Sequence, residues 1–465
     1  MKEEQELSLS VGRSSLKGMF ASPLKLASSI LFALAMGSAV SACEGPTEDD
    51  PVPADAIRIG AALPFSGSQA STGIHLERAL MLAVRDVNRA GGVMGRPLYL
   101  KVRDSNSGSS RGAEQLKKLI EEDDVAYLIG PQEHNLALSV VSTVKRNDIL
   151  HILPSFTSPT ISDSGSRGAW VRLAPSAPMM GCALATKAIQ DGIKTTRTIA
   201  ARDDYHLEMA AIFSSSLAKL GGRAYPTVTV ASDESSYGRA INQINRYDAD
   251  VTMMLAYPGT AATIIKEMAR SAEVRWYFSP MLRDEALLWN LPSGVLDKAA
   301  GVSPSFSSNS DCSFVEGEGG ASGDAVAADC KAHASSRFAE YYAENWREQA
   351  PLKAAHYYYD AVVMLSLALT RAEAEGKAEP RPQELLPYLV DQATQTEAIA
   401  WDSLAEGLEL AQKGIGARYF GAAGEYEFNS RGSNVRTIVD TWVVSKQGQF
   451  VDRQSVVCGL SSIED

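Results

Sequence analysis

The chain has 465 residues, of which 45% are hydrophobic and 22% charged, and its formal net charge is -12. That length exceeds one ordinary hydrophobic core and predicts two domains, and the apolar-to-charged balance describes a globular chain rather than a disordered or polytopic one. An acidic chain without a basic run repels phosphate backbones, which argues against nucleic acid as a partner and leaves small or neutral ligands open.

The first 43 residues read as a processing signal. Leu26 to Val40 is an apolar run too short and too serine-rich for a stable membrane span, preceded by Lys17 and Lys25 and closed by Val40-Ser41-Ala42-Cys43. Those closing residues resemble a bacterial lipobox. The resemblance implies that Cys43 is diacylated, cut free of the preceding residues and left as the first residue of a lipoprotein, since two or more acyl chains suffice for stable anchoring. An ordinary signal peptide with an incidental cysteine is the other reading. Met19 is an alternative start, because residues 1 to 16 mix acids and bases. Residues 1–43 hold four bases and three acids, so their removal leaves a net charge of -13. Residues 44–56, acidic and proline-rich at the start, read as a flexible tether. Glu44 after Cys43 points to the outer of two membranes by resemblance to sorting rules.

The fold begins at Ile57. Ile57, Ile59, Ala61 and Leu63 alternate with smaller or polar residues as a strand does, and Pro64, Ser66, Gly67 and Gly73 mark a loop into a helix. Leu76, Leu80, Ala83 and Val87 form the stripe of a helix laid on a sheet, which Gly91-Gly92 end. A second strand carries Leu98, Leu100 and Val102 to Asp104. A right-handed crossover makes the two strands parallel, so their carboxyl ends share the edge where open α/β sheets bind ligands. The rhythm then repeats. A helix carries Leu116, Leu119 and Ile120, a strand runs from Ala126 to Ile129, and Gly130-Pro131 leads into a helix through Ser142. The strand from Ile149 to Leu153 ends in a polar loop of Pro154, Ser155, Thr157, Ser158 and Pro159, again at the carboxyl rim. After an extended Trp170 to Leu173 the pattern restarts with a helix to Gln190, a strand from Thr198 to Ala201 and a helix from His206 to Leu220. It continues through strands Thr227 to Val230, Val251 to Leu255 and Trp276 to Phe278, with helices Tyr237 to Asn245 and Thr260 to Arg270 between them. Two α/β lobes are therefore expected.

After Ala300 the rhythm stops, and Gly301 to Phe306 reads as a return connection. Ser307 to Ala328 is rich in Gly, Ser and Ala and has no periodicity. Ala354 to Leu369 is apolar on nearly every face and predicts a buried helix, with Tyr357, Tyr358 and Tyr359 as packing residues and Asp360 as a structural hydrogen-bonding group. Glu425 to Phe428, a turn at Asn429 to Gly432, Thr437 to Val444 and Gln449 to Val451 alternate as antiparallel strands. Beyond Cys43, four cysteines remain, an even number that fits an exported protein. Cys312 and Cys330 bracket the aperiodic segment and form the first expected disulfide, worth roughly 3 kcal/mol in the chain-entropy model. Cys182 and Cys458 form the second. No CxxC or HxxxH spacing supports a metal, and no cofactor is expected.

Taken in order, IRIGAALPFSG, AVRDVNRAGGVMGRPLYLKVRDS, YLIGP, ILPSFTSP, the helix around Tyr359-Asp360-Ala361 and GEYEFNSRG resemble a type I periplasmic solute-binding protein, of the branched-chain amino acid binding family of ABC importers. The resemblance covers nearly all of residues 57 to 452. It implies an α/β, type I periplasmic-binding-protein fold: two doubly wound parallel-sheet lobes joined by three hinge strands, with a ligand held between lobes that close by hinge rotation. The crossings fall near Leu173, Val302 and Arg436. They divide the chain into an N-terminal lobe of 57–173 plus 303–436 and a C-terminal lobe of 174–302 plus 437–465, with Cys182 and Cys458 in one lobe and Cys312 and Cys330 in the other. The partners implied are a small-molecule ligand, an ABC permease and a membrane reached through the lipid anchor, at the periplasmic face.

Ligand positions carried over by that resemblance are uneven. The serine that meets the ligand carboxylate in amino acid binders, aided by a helix amino terminus, corresponds to His134. A backbone and threonine pair in the next loop corresponds to Ser155 and Thr157. An aromatic near the first loop corresponds to Thr72, and two tyrosines of the second lobe correspond to Tyr205 and Tyr257. The acid that receives the ligand ammonium falls at Met281, and the other acidic position falls near Met179. Because an ammonium buried without an anion costs several kcal/mol, a free α-amino acid is disfavoured unless Asp203, Asp204 or Asp284 substitutes. The expected ligand is small, amino-acid-like, an amide or a small carboxylate, with an apolar or aromatic part stacked on Tyr205 and Tyr257. An enzyme is the rival class, but GxSxG, Walker A and dinucleotide fingerprints are absent. A ligand-sensing lipoprotein without a permease shares every feature of the importer reading.

Overall fold

The computed structural model describes residues 52–67, 70–155, 170–232, 234–270, 274–304, 323–347 and 351–459. The lipobox with Cys43, the loop residue Thr157 and Cys312 lie outside these residues, as do the side chains of His134, Asp204, Cys330 and Cys458. No helix among the described residues is long and apolar enough to cross a membrane.

Strand β1 (Ile57–Leu63), helix α1 (Ala70–Arg89) and strand β2 (Leu98–Asp104) form the opening βα unit, with β1 and β2 parallel over seven residue pairs from Ile57↔Leu98 to Leu63↔Asp104. Leu76, Leu80, Ala83 and Val87 of α1 are all fully buried, as an apolar stripe laid on a sheet requires. Helix α2 (Ser109–Glu121) leads to β3 (Tyr127–Ile129), and α3 (His134–Ser139) and α4 (Val141–Arg146) lead to β4 (Leu150–Leu153). The single helix expected after Gly130-Pro131 is thus two short ones that meet at Val140. With β5 (Trp170–Arg172) these strands make a five-stranded sheet in the order β2-β1-β3-β4-β5, parallel throughout.

The second sheet repeats the plan. Helix α5 (Ala177–Gln190) precedes β6 (Thr195–Ala201), and α6 (Asp204–Lys219) leads to the short strands β7 (Arg223–Ala224) and β8 (Val228–Val230). Then come α7 (Gly238–Ile244), β9 (Val251–Leu255), α8 (Pro258–Met268), β10 (Trp276–Phe278), α9 (Glu285–Trp289) and β11 (Ala300–Pro304). The residues expected only as a return connection therefore begin as a strand. The parallel strands β6, β9, β10 and β11 continue into an antiparallel pair, β15 (Arg436–Val444) and β16 (Phe450–Gly459).

Between the two visits to that sheet the chain returns to the first. Helix α10 (Gly323–Trp346) overlaps the stretch in which no periodicity was expected. Helix α11 (Lys353–Ala374) is the predicted buried helix: Tyr357, Tyr358 and Tyr359 all lie in the core that also holds β1 and the α1 stripe. Helix α12 (Pro382–Val390) precedes a small sheet, in which α13 (Leu404–Gln412) joins β12 (Glu397–Ala400) to β13 (Ala417–Gly421), two strands for which the sequence pattern offered no expectation; the antiparallel strand expected over Glu425 to Phe428 is shorter and earlier, β14 (Gly424–Glu425).

Asp360 joins this small sheet to α11. Its carboxylate accepts from the Tyr419 hydroxyl at 2.7 Å, Ala422 N–H at 2.7 Å, Ala423 N–H at 2.8 Å and the Tyr426 hydroxyl at 2.6 Å. Burial pushes the carboxyl up to about 6, against the pull of these four donors.

The chain passes between the two large sheets three times: between Arg172 and Ala177, after Pro304, and between Ser433 and Arg436. Two of these passages run side by side, Arg172 N–H donating to Gly432 O at 2.8 Å and Asn434 N–H to Arg172 O at 3.1 Å. The Asn434 amide donates to Leu173 O at 2.9 Å, fastening the same pair. Gly432 sits at φ +79 with a virtual Cβ 2.3 Å from Trp170 O, so no other residue fits this approach.

Candidate functional site

In an open α/β sheet the ligand crevice opens where successive crossovers diverge to opposite sides. In the first sheet that point lies between β1 and β3, because the chain runs from β1 outward to β2 and then back past β1 to β3. In the second it lies between β6 and β9, because β8 pairs with β6 on the side away from β9. The residues that follow β1, β3, β6 and β9 therefore define two rims.

On the first rim, Asp104 ties the loop after β1 to the loop after β2. It accepts from Phe65 N–H at 2.9 Å, Ser66 N–H at 3.2 Å, the Ser66 hydroxyl at 2.6 Å and Asn106 N–H at 2.8 Å. Burial favours the neutral acid, and the donors outweigh it and hold the carboxyl below its ordinary value. Gly73 lets α1 start close above this loop, since a Cβ there would stand 2.2 Å from Pro64 O. Thr72, one residue earlier, is half-buried in the first turn of α1.

After β3 the chain turns through Gly130 at φ +84 to Gln132 and Glu133, which occupies the N-cap position of α3 without a side-chain capping bond. Glu133 is a feature the sequence reading missed. Its Oε1 accepts from the Ser105 hydroxyl, whereas its Oε2 is buried without a hydrogen-bond partner. Burial raises the Glu133 carboxyl; the Ser105 hydroxyl and its own N–H pull it down, the Asp104 charge pushes it up, and Gln132 N–H pulls down again. Gln132 Oε1 is also buried and unpartnered. Ser155, which follows β4, lies beside the hydroxyl of Tyr358, which has no exposed surface; burial raises that phenol, and the Ser155 hydroxyl pulls it down.

On the second rim Asp203 caps α6, accepting from His206 N–H at 3.0 Å, and the same carboxylate lies 2.8 Å from His206 Nδ1. His206 is fully buried and stands between Tyr205 and Tyr257, each ring meeting it edge-on at 4.8 Å. The Tyr257 hydroxyl donates to Asp203 as well. Burial, together with the charge of Asp203 and this bond, pushes the Tyr257 phenol up to about 12, and burial raises Tyr205 too. Tyr257 nevertheless keeps 38% of its surface exposed. The structure thus brings Tyr205 and Tyr257 together around a histidine that the sequence reading had used only as a helix start.

Met281, 41% exposed, occupies the 3-10 turn Pro280–Leu282 after β10. Met179 is fully buried in the core beneath α5. Asp284 caps α9 by accepting from Leu287 N–H at 3.2 Å. Cys182 is disulfide-bonded. Among the described residues no cluster of three or more metal-ligating side chains occurs.

A sequence profile of a family described as "Periplasmic binding protein" matches residues 56–403. The Leu/Ile/Val-binding protein BraC3 of Rhizobium johnstonii is 26% identical over 109 residues, which is 23% of this chain and 29% of that protein. The chemotactic signal transduction system substrate-binding protein BasB of Halobacterium salinarum is 23% identical over 220 residues, 46% of this chain and 52% of its own. The matched stretches thus span from about a third to about half of these relatives' length. Among solved structures, the solute-binding protein of an R. palustris ABC transporter in complex with benzoate superposes with a TM-score of 0.63 at 18% identity, covering 87% of this chain and 97% of that one. The fold is accordingly that of type I periplasmic binding proteins.

Proposed function

Since the chain belongs to the periplasmic binding protein family, we propose that it captures a small solute in the crevice between its two rims and closes on it by hinge rotation, delivering it to an ABC importer. The observation that carries this reading is the second rim itself: Tyr205 and Tyr257, edge-on to one buried histidine and held by Asp203 at the switch point between β6 and β9. Two rings fixed in this way present an apolar surface to a ligand without losing further side-chain freedom on binding. The lobes of this proposal are residues 57–173 plus 303–436 and 174–302 plus 437–465, and the three passages between sheets are its hinge.

The test is a thermal-shift screen of the purified chain against amino acids, amides, aromatic acids and short peptides. A ligand at 100 times its dissociation constant stabilises by about 2.7 kcal/mol. Tyr257→Ala is expected to abolish the shift, and a variant that binds as tightly as the parent would count against the crevice.

A second reading is favoured by the chemotactic role in the name of one relative: the same capture serving a sensor instead of a permease. Uptake of the identified solute lost on gene deletion favours import, and intact uptake with a lost response favours sensing. We also propose lipidation at Cys43 and disulfides Cys182–Cys458 and Cys312–Cys330. The contact of α5, which carries Cys182, with β16, which carries Cys458, supports one pairing. Mass spectrometry of a non-reducing digest tests both.

A further inference from the structure

We propose that the first rim holds a cationic nitrogen group of the solute, an ammonium or an amidinium, on the Glu133 carboxylate, while the solute's apolar body lies against Tyr205 and Tyr257. This rests on the solute-binding reading above and names the ligand class for that crevice. The acid expected on the second rim is missing at Met281, and Asp203, which follows β6 on the same rim, is engaged by its own helix, by His206 Nδ1 and by the Tyr257 hydroxyl. An acid is present instead on the opposite rim.

Glu133 stands at the switch point of the first sheet, three residues beyond Gly130. Burial raises the Glu133 carboxyl, Ser105 and the backbone N–H groups of Glu133 and Gln132 pull it back toward the carboxylate form, and Oε2 is left without a partner. The Tyr358 hydroxyl lies close enough for the Glu133 charge to act on it, and Oε1 of the preceding residue, Gln132, is likewise buried without a partner. Tyr358 has no exposed surface and reaches up under this loop, its hydroxyl 3.1 Å from where a Cβ on Gly130 would be. No basic side chain among the described residues pairs with Glu133. Buried polar atoms are almost always partnered, so a carboxylate oxygen and an amide oxygen on successive residues, both left open, describe a socket for N–H donors. A carboxylate placed there would meet the charges of Glu133 and Asp104 at close range, whereas the net charge of -12 draws cations toward the chain.

The experiment is calorimetric titration of the purified full chain with benzamidine, benzylamine, benzamide and benzoate, four probes that share a ring and differ in the head group. Benzamidine or benzylamine is expected to bind at least about tenfold more tightly than benzoate. Glu133→Gln is expected to weaken the cation by roughly ten- to a hundredfold, the worth of a charge-assisted bond, while benzamide changes by about threefold or less. In the parent, cation binding is expected to weaken on acidification, as Glu133, whose carboxyl burial raises, takes up a proton. Ser105→Ala, which leaves the charge in place but frees Oε1, is expected to weaken the cation severalfold, and it decides the matter should Glu133→Gln fail to fold. Benzoate binding more tightly than both cations, neither cation binding, or cation affinity indifferent to both substitutions overturns the inference. The solute-binding reading survives such a result if another compound of the wider screen still binds and loses affinity in Tyr257→Ala. It falls if nothing in either set binds, or if what binds is indifferent to Tyr257→Ala.

Discussion

Asp360→Asn is isosteric and removes one charge, yet it is expected to destabilise the first lobe. The carboxylate offers two oxygens to four donors, one backbone N–H and one tyrosine hydroxyl on each. An asparagine keeps one oxygen, and whichever way its amide turns, an NH2 group faces either Ala422 N–H or Ala423 N–H. A tyrosine hydroxyl can rotate to accept, but a backbone N–H cannot. One buried N–H left unsatisfied costs about 1 to 3 kcal/mol, and the surviving bonds fall from charge-assisted strength, about 1.5 to 3 kcal/mol, to about 0.5 to 1.5. Removal of a charge that burial already disfavours offsets part of this. The net loss is about 2 to 4 kcal/mol. Urea unfolding followed by circular dichroism and tryptophan fluorescence reads it as a fall in midpoint, with Tyr426→Phe, which loses one donor, expected to cost about 1 kcal/mol. A variant within about 0.5 kcal/mol of the parent would refute the reasoning.

Burial lowers His151 and His356 to about 4 from 6.5, so between those values the unfolded chain binds the protons and stability is lost as pH falls. Asp360, raised to about 6 from 3.8, acts in the opposite sense over its own interval, and these three fully buried groups taken by themselves predict a net fall in melting temperature on acidification. His356→Phe should shallow that fall, and an unchanged profile counts against the assignment. Gly301→Ala places a Cβ 2.3 Å from the ring of fully buried Trp442 and is expected to cost about 1 to 3 kcal/mol in chemical denaturation. Asp203→Asn is expected to lower the Tyr257 phenol from about 12 toward its ordinary value, read by ultraviolet titration, because one charge and one strong acceptor are withdrawn together.

Much of the site's location was legible in the chain because it depends on order and spacing. The strands before Pro64, Gly130, Arg202 and Ala256 are short apolar runs, and parallel crossovers send all their carboxyl ends to the rims. Tyr205 and Tyr257 follow two of these strands, but it was the family resemblance that singled them out. Glu133 was passed over because its importance lies in what its second oxygen does not touch, and His206 because its ring sits between residues 1 and 51 positions away.

The sequence by itself determined the βα rhythm, the stripe of α1, the all-round apolar α11 and the turn at Asn429 to Gly432, because each is a local pattern that repeats at the period of its own backbone. Tertiary structure alone decided which polar groups meet. Asp360 draws its four donors from 59 to 66 residues downstream, out of a small sheet whose strands are too short to show a period. Hydrogen bonds are fixed in three dimensions by the packing of the elements that carry them, so no spacing along the chain encodes them.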